Sequence, residues 1–290
     1  MALGSTQPAL TRQLRRIEEG LGGELFVRSR DGVEPTTLGR LVVSRANAVL
    51  SVLDSLQNDV ASATASAPAQ VRIGVRYGQA LLGLMNGLRA TVPSAEIVTN
   101  SESRIGGLID LVAANRLDLA IIHEFVGYDI PLDPRVVSVE ICQMPAFVML
   151  AESHPLAERT EIELADLADD NWLLSPLDVD RETECMTQVC GDAGFTPKIV
   201  HYLSDSLGAE LIRAGEAVSA SVPTNRCTGA VLAPLAGSPI RVRQLLIADQ
   251  HGPLAGSLDK LGRFVANALS DGLANQPVYT AWEQRHSTEP

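Results

Sequence analysis

Six consecutive residues, Leu117-Asp118-Leu119-Ala120-Ile121-Ile122, narrow the fold more than any other stretch of this chain. The run is nearly all apolar and shows no alternation. A strand of that kind belongs in a sheet covered on both faces, as parallel sheets are. Its surroundings agree. From Gln70 onward, short β-branched runs alternate with helical ones. Strands are predicted at Val71–Val75, Ala95–Thr99 and Val136–Cys142, and helices at Gln79–Thr91 and Ile105–Asn115. A second set begins with a strand at Ala146–Leu150. It continues with strands at Trp172–Ser175, Ile199–Leu203 and Val218–Val222 and helices at Glu182–Ala193 and Leu207–Ala214. A strand at Ile240–Ala248 and a helix at Leu254–Leu273 follow. The two sets are joined near Cys142–Phe147 and again near Arg241–Leu246. This predicts an α/β domain over 70–275, with subdomain I at 70–143 and 245–275, subdomain II at 144–244, and a cleft between them. Residues 276–290 read as a loose tail.

The amino end has a different pattern. Leu10, Leu14, Ile17 and Leu21 recur at steps of four, three and four, so they share one face of a helix. Pro8, Thr11, Arg12 and Arg15 project from the other face. Thr6 can cap the helix, and Pro8 is tolerated in a first turn because its missing N–H would be unbonded there. A helix with an apolar inner face and short polar or arginine residues outside suits the DNA major groove, although an ordinary amphipathic surface helix has the same pattern. Leu25-Phe26 is an apolar anchor. Val27 to Thr36 is a basic turn with Asp31-Gly32 at its tip, as in a hairpin. Helix and arginine-bearing hairpin follow each other in the order of a winged helix-turn-helix.

From Thr36 to about Val60 a long helix is predicted. Val42, Val49 and Leu56 repeat every seven residues, with Ala46, Leu53 and Val60 alongside, and such a stripe wants a partner helix. Ala61 to Ala69 is small, polar and proline-containing, a hinge.

The segments T-Q-P-A-L-T-R-Q-L-R-R-I-E-E, E-L-F-V-R-S-R and P-T-T-L-G resemble the recognition helix, wing and linker-helix start of LysR-type transcriptional regulators. The likeness continues through Gly74, Leu117 to Ile121, His154-Pro155-Leu156, Ala193-Gly194-Phe195 and Asp205-Ser206-Leu207. It implies a partial winged helix-turn-helix at 1–36, a linker helix and hinge at 37–69, and a two-subdomain α/β effector domain of the periplasmic-binding-protein-like (type 2) kind. The head reads as partial because the resemblance places a further helix before Thr6. By resemblance the partners are double-stranded DNA, a small-molecule effector and a second copy or more of the chain, paired through the linker helix as homodimer or homotetramer. Thr6, Gln7, Pro8, Thr11, Arg12, Arg15, Arg28 and Arg30 are the candidate DNA-contacting residues.

The net charge of −12 argues against indiscriminate nucleic-acid binding. Its distribution matters more: residues 1–45 hold seven basic and five acidic groups, net +2, which leaves −14 for the rest. A basic head on an acidic body fits a DNA-reading end attached to a module with another task. No run of 18 apolar residues and no basic, then apolar, leader is present, so a cytoplasmic protein without membrane contact is expected. A solute-binding transport component would need such a leader. The four cysteines lack C-x-x-C spacing and read as reduced thiols. Some members of the resembling family sense peroxide through two cysteines near the positions of Cys185 and Cys190. Here the pair shares one predicted helix, five residues apart, which puts a disulfide out of reach without unwinding.

Ligands of open α/β sheets bind beyond the carboxyl ends of strands, where helix N-termini present bare N–H groups. That rule nominates Tyr77, Gly78, Gln79, Ser101, Ser103, Arg104 and His123 in the first subdomain and Ser175, Ser204, Ser206 and Val222 in the second. Backbone N–H groups and hydroxyls there suit an organic anion. Single serines at such places are also ordinary helix caps, Ser206 above all. The resemblance puts paired Ser/Thr residues where this chain has Arg104 and Ile105, so the usual anion-holding loop is altered. No G-x-S-x-G, Walker A or H-E-x-x-H motif occurs, and the histidines show no metal-ligand spacing; neither an enzyme nor a cofactor or metal site is expected. The rival reading is a truncated regulator that binds a small molecule without binding DNA.

Overall fold

The computed structural model describes residues 7–29, 32–43, 45–46, 49, 70–75, 78–102, 104–175, 181–203, 205–225 and 227–286. The chain divides into two compact units, 1–64 and 65–290.

In the first unit, α1 (Gln7–Leu21) is followed by β1 (Phe26–Ser29) and β2 (Gly32–Pro35), paired antiparallel from Phe26↔Pro35 to Ser29↔Gly32. Leu25 is the buried anchor, and its N–H donates to Glu18 Oε1 at 2.8 Å, tying the hairpin back to α1. Thr36 starts the next helix, α2, which is helical over 37–43. Its hydroxyl accepts the Gly39 N–H at 2.9 Å and donates to the Glu24 carbonyl at 2.7 Å. Gly39 is obligatory, since a Cβ there would lie 1.9 Å from the Leu25 carbonyl oxygen. Thr6, the tip residue Arg30, and the heptad positions Leu53, Leu56 and Val60 lie outside the described residues.

The described strands of the second unit form three sheets. The first has the order β4 (Glu96–Ser101), β3 (Gln70–Val75), β5 (Leu119–Phe125), β12 (Arg241–Asp249), β6 (Val136–Pro145). β3 runs parallel to β4 and β5, while β12 is antiparallel to β5 and β6 because it re-enters from the other lobe. All seven residues of β5 are buried, as its unbroken apolar run requires. One face is covered by α3 (Gly78–Thr91) against α7 (Leu258–Ala274), the other by α4 (Ile105–Ala113).

The second lobe holds β7 (Phe147–Ala151) between β10 (Ser219–Ser221) and β11 (Ala230–Ala233), and β8 (Asn171–Leu174) parallel to β9 (Lys198–Tyr202). A bridge from Trp172 to Val218 joins the two pieces. Trp172 and Leu150 are fully buried at its centre, with α5 (Glu182–Asp192) contributing Cys185, Met186 and Cys190; α6 (Asp205–Arg213) carries the chain from β9 to β10. The chain crosses between lobes twice, at Ala146 and Ile240, and the Ala146 N–H donates to the Ile240 carbonyl at 2.9 Å. β11 was not anticipated.

The carboxyl end corrects the sequence reading. Residues 277–286, expected within a loose tail, form α8 (Pro277–His286). Tyr279, Trp282 and His286 share a face; Trp282 lies 6.0 Å from Phe147 and 4.8 Å from His286, ring to ring. The Arg285 guanidinium donates to the Thr160 carbonyl at 3.2 Å. Aromatic residues three and four apart were the signal, overlooked because the surrounding residues are polar.

Candidate functional site

A cavity of about 470 Å³ opens where the lobes meet. His123 and Phe125 from the end of β5 and Val242 from β12 form one wall; α6 and β10, with the loop after it, form the opposite wall. The burial is what local sequence dictates. β5 is apolar up to its end, where His123 turns its ring edge toward Phe125 at 6.3 Å and 83°. Gly208 lets α6 approach β8, since a Cβ there would already touch the Leu173 side chain at 3.0 Å.

Three of the candidate effector residues line this space: His123, Ser175 and Val222. Ser101 and Arg104 do not. Ser101 is exposed at the end of β4. Arg104 is half exposed, with Nε 3.7 Å from Glu102 Oε1. Tyr77, Ser103 and Ser204 lie outside the described residues. Gly78 and Gln79 fall at the start of α3 and Ser206 in the first turn of α6.

The first-lobe helix terminus is occupied from within. Arg104 is the N-cap of α4 but makes no side-chain cap bond. Glu102 does the work: its carboxylate accepts the Arg104 N–H at 3.0 Å, and a Cβ on Gly107 would lie 2.9 Å from Glu102 Cδ. The acidic side chain thus lies over the first turn of α4, in the place where the dipole favours an anion. Ile105, at one of the positions the resembling family gives to hydroxyls, is fully buried core.

The wall residues that sequence reasoning missed are chiefly Glu182, Ser219, Ser221 and Asn225. Glu182 is 8% exposed in the first turn of α5, and its Oε2 accepts the Ser175 N–H at 3.0 Å. Asn225 donates to Ser221 Oγ at 2.9 Å. The strand-end rule reached Val222, and extending it by one turn of chain would have found Asn225.

Beside the cavity a buried ionic cluster ties the crossing strands to the second lobe. Glu124 is 3% exposed, accepts Arg243 Nε at 2.8 Å and the Ile130 N–H at 2.9 Å. The Arg243 guanidinium also meets Asp129, and its pKa is held up first by the Glu124 bond. Arg181 donates to the Asp129 carbonyl at 3.3 Å and stacks 5.4 Å over the Tyr128 ring. His154 is structural: Nδ1 accepts the Leu156 N–H at 3.2 Å, which leaves Nε2 to donate to Asp170 at 3.1 Å. Cys185 and Cys190 are free and buried on α5, and desolvation pushes them up to about 12 and about 11. Among the described residues no cluster of metal-ligating side chains occurs, and no helix is long and apolar enough to cross a membrane.

In the first unit, Thr11, Arg12 and Arg15 are exposed on α1. Leu10, Ile17 and Leu21 on its apolar face are 45%, 50% and 49% exposed. Gln7 and Pro8 begin the helix, and Arg28 lies in β1.

A helix-and-hairpin reader attached to a two-lobed domain with a ligand-sized cavity at its hinge defines a ligand-responsive DNA-binding regulator. The family models agree, residue range by residue range. The bacterial regulatory helix-turn-helix model of the lysR family matches residues 1–40, and the LysR substrate binding domain matches residues 66–269. The chain belongs to the LysR family of transcriptional regulators. It is 38% identical over 264 residues to a small neutral protease regulatory protein of Streptomyces coelicolor, covering 88% of this chain and 81% of that one. It is 27% identical over 256 residues to the regulator ShiR of Corynebacterium glutamicum, covering 86% and 83%. In fold it is similar to CbnR, with a TM-score of 0.66 at 19% identity over 92% of this chain and 91% of that one. A Corynebacterium glutamicum OxyR C206 mutant gives 0.61 at 20% identity over 97% and 87%. Like its family, this chain binds DNA through its helix-turn-helix and a small-molecule effector through the two-lobed domain.

Proposed function

We propose that the effector occupies the 470 Å³ cavity and that its binding changes how the lobes close, which alters the spacing of DNA-reading heads in a homodimer or homotetramer joined through the linker helix. The carrying observation is that the cavity wall is drawn from both lobes at the point where the strands cross: a ligand there has differential contact with open and closed forms. His123, Ser175 and Val222 remain proposed contacts, joined by Glu182, Ser221 and Asn225. On the DNA side, Gln7, Thr11 and Arg12 read base edges, Thr6, Pro8 and Arg15 complete the helix surface, and Arg28 and Arg30 reach phosphate or the minor groove. The protein acts in the cytoplasm by binding alone, without a catalytic step.

The relatives' name supplies a first target, the promoter of a small neutral protease gene. A mobility-shift titration with the full chain on that DNA and on the DNA upstream of its own coding region tests the reading. We expect a sequence-specific shift altered by effector. Arg12→Ala should weaken it about tenfold, in line with the ~1–3 kcal/mol of one good base contact. A shift that is the same on random DNA would overturn the reading.

A further inference from the structure

We infer that α8 is a releasable strap across the hinge: docked, it holds the lobes at one opening, and undocked, it frees them and widens the effector cavity. The inference deepens the reading that lobe closure is the signal.

The two ends of α8 belong to different lobes. Its root is in the first, since Asn275 and Gln276 alone separate it from α7, which packs against α3 there. The corner is tight. The Gln276 N–H donates to the Leu273 carbonyl at 2.9 Å, and the Gln276 carbonyl accepts the Thr280 N–H at 2.9 Å. Pro277 then opens the helix, where its fixed φ suits a first turn. Tyr279, Trp282 and His286 stand three and four residues apart, so they share one face. That face docks on the second lobe. The Tyr279 and Trp282 rings lie 6.4 Å and 6.0 Å from the ring of Phe147, the residue next to the crossing at Ala146. Burial pushes the Tyr279 phenol above its ordinary value, and Cys142 and Arg241 of the crossing strands are near enough to act on it. At the far end, Arg285 donates to the Thr160 carbonyl at 3.2 Å and His286 Nε2 lies 3.5 Å from Glu161 Oε1. Two crossing strands alone would bend by changing a few backbone dihedrals. A helix about 15 Å long, fixed to one lobe and seated on the other, removes that freedom while it stays docked.

A second observation makes the dock releasable. Among the described residues, five buried side-chain atoms have no hydrogen-bond partner, and three of them, Glu161 Oε1, Gln276 Nε2 and Trp282 Nε1, belong to this contact. A buried donor or acceptor left unpaired opposes the state that buries it, and release to solvent removes the penalty. The contact is also incompletely filled. A cavity of about 270 Å³ lies beside α8, walled by Gln276, Val278 and Tyr279 on its side. Its other walls include Met149, Asn225 and Cys227, which also line the effector cavity. The strap therefore adjoins the effector site as well as the hinge.

Backbone hydrogen exchange of the full chain, without effector or DNA, tests this. Trp282→Ala should speed exchange at least tenfold in peptides over 142–147 and 240–246, where the Ala146 N–H bonds the Ile240 carbonyl, and leave β3 and β8 at the parent rate. Trp282→Phe, which keeps a ring against Phe147 and removes the unpaired indole N–H, should restore the parent rate. Gln276→Met, which removes the unpaired amide from the dock, should slow exchange at the crossing about threefold. An unchanged crossing in Trp282→Ala, an equal acceleration in β8, or no rescue by Trp282→Phe overturns the inference. Circular dichroism and a melting curve identify a variant that fails to fold. If Trp282→Ala does so, Gln276→Met carries the test: slower exchange at the crossing supports the strap, and unchanged or faster exchange overturns it. Because no effector is present, a strap that fails leaves the cavity reading intact, and a cavity that binds nothing leaves the strap intact.

Discussion

α4 in the first lobe and α6 in the second each follow a strand, yet their first turns are built differently. Ile105 begins α4 and is fully buried, with Glu102 folded over the helix end. On α6, Leu207 is 59% exposed, while Gly208, Ala209 and Ile212 face the cavity. The first lobe has closed its helix terminus with its own side chains, while α6 turns Gly208 and Ala209 to the cavity. The ligand-taking capacity of a two-lobed fold is thus set separately in each lobe, by a few residues at the helix starts, while the strand framework stays the same.

The largest effect should come from reopening the closed terminus. Ile105→Ser restores a hydroxyl of the kind the family has there, yet it removes a fully buried side chain from among Leu108, Ala120 and Ile122. The expected cost is about 4 kcal/mol, from the cavity and from burying a hydroxyl. Leu207→Ser at the matching turn of α6 should stay within about 0.5 kcal/mol. Urea denaturation of both variants measures the contrast, and equal costs would show that the two termini are not different in kind.

Much of this contrast was readable beforehand and part was not. The unbroken run at Leu117–Ile122 announced a buried strand, and β5 is buried along its whole length. The crossings near Cys142–Phe147 and Arg241–Leu246 correspond to β6 leading into β7 and the start of β12. Local pattern carries such information because strand burial follows periodicity. The loss of hydroxyls at Arg104 and Ile105 was also visible, but not what replaced them. That Glu102 turns back over α4, or that Glu182 lies in the cavity wall, depends on how α4 and α5 pack, and a carboxylate in a polar stretch looks the same whether it meets solvent or a helix end. α8 was missed for a similar reason: its aromatic face has meaning only against Phe147.

The thiols give a second, smaller contrast, because all four lie at the crossings or in the second lobe. Desolvation pushes Cys185 up to about 12, Cys142 to about 11 and Cys190 to about 11. A raised thiol pKa means that the folded state holds the proton more tightly than the unfolded one. Its stabilising effect is complete below the ordinary value of 9.0 and is lost as pH climbs toward about 11 and 12. Alkaline loosening should therefore reach the second lobe first, and hydrogen exchange followed by mass spectrometry between those values should show α5 and β8 opening before β3 and β4. Burial also predicts the order of alkylation. At pH 8, iodoacetamide should modify Cys227, on the cavity wall, well before the other three, and a cavity ligand should protect it. Faster modification of Cys185 would contradict the burial on which this rests.

The smallest effect is also the most pointed. Glu102→Ser removes the carboxylate from the end of α4 and leaves a short hydroxyl that can still cap. The stability cost should be about 1 kcal/mol or less, the size of a first-turn charge or cap contribution. What should change is anion uptake. With the acidic side chain gone, the N–H groups of the first turn and the Arg104 guanidinium, now without its partner at 3.7 Å, form a site for an external anion. Sulfate or benzoate should then raise the melting temperature of Glu102→Ser in a concentration-dependent way while leaving the parent chain unaffected. If the parent responds equally, Glu102 is not what closes the first lobe to anions, and the difference between the two helix starts must come from the buried Ile105 alone.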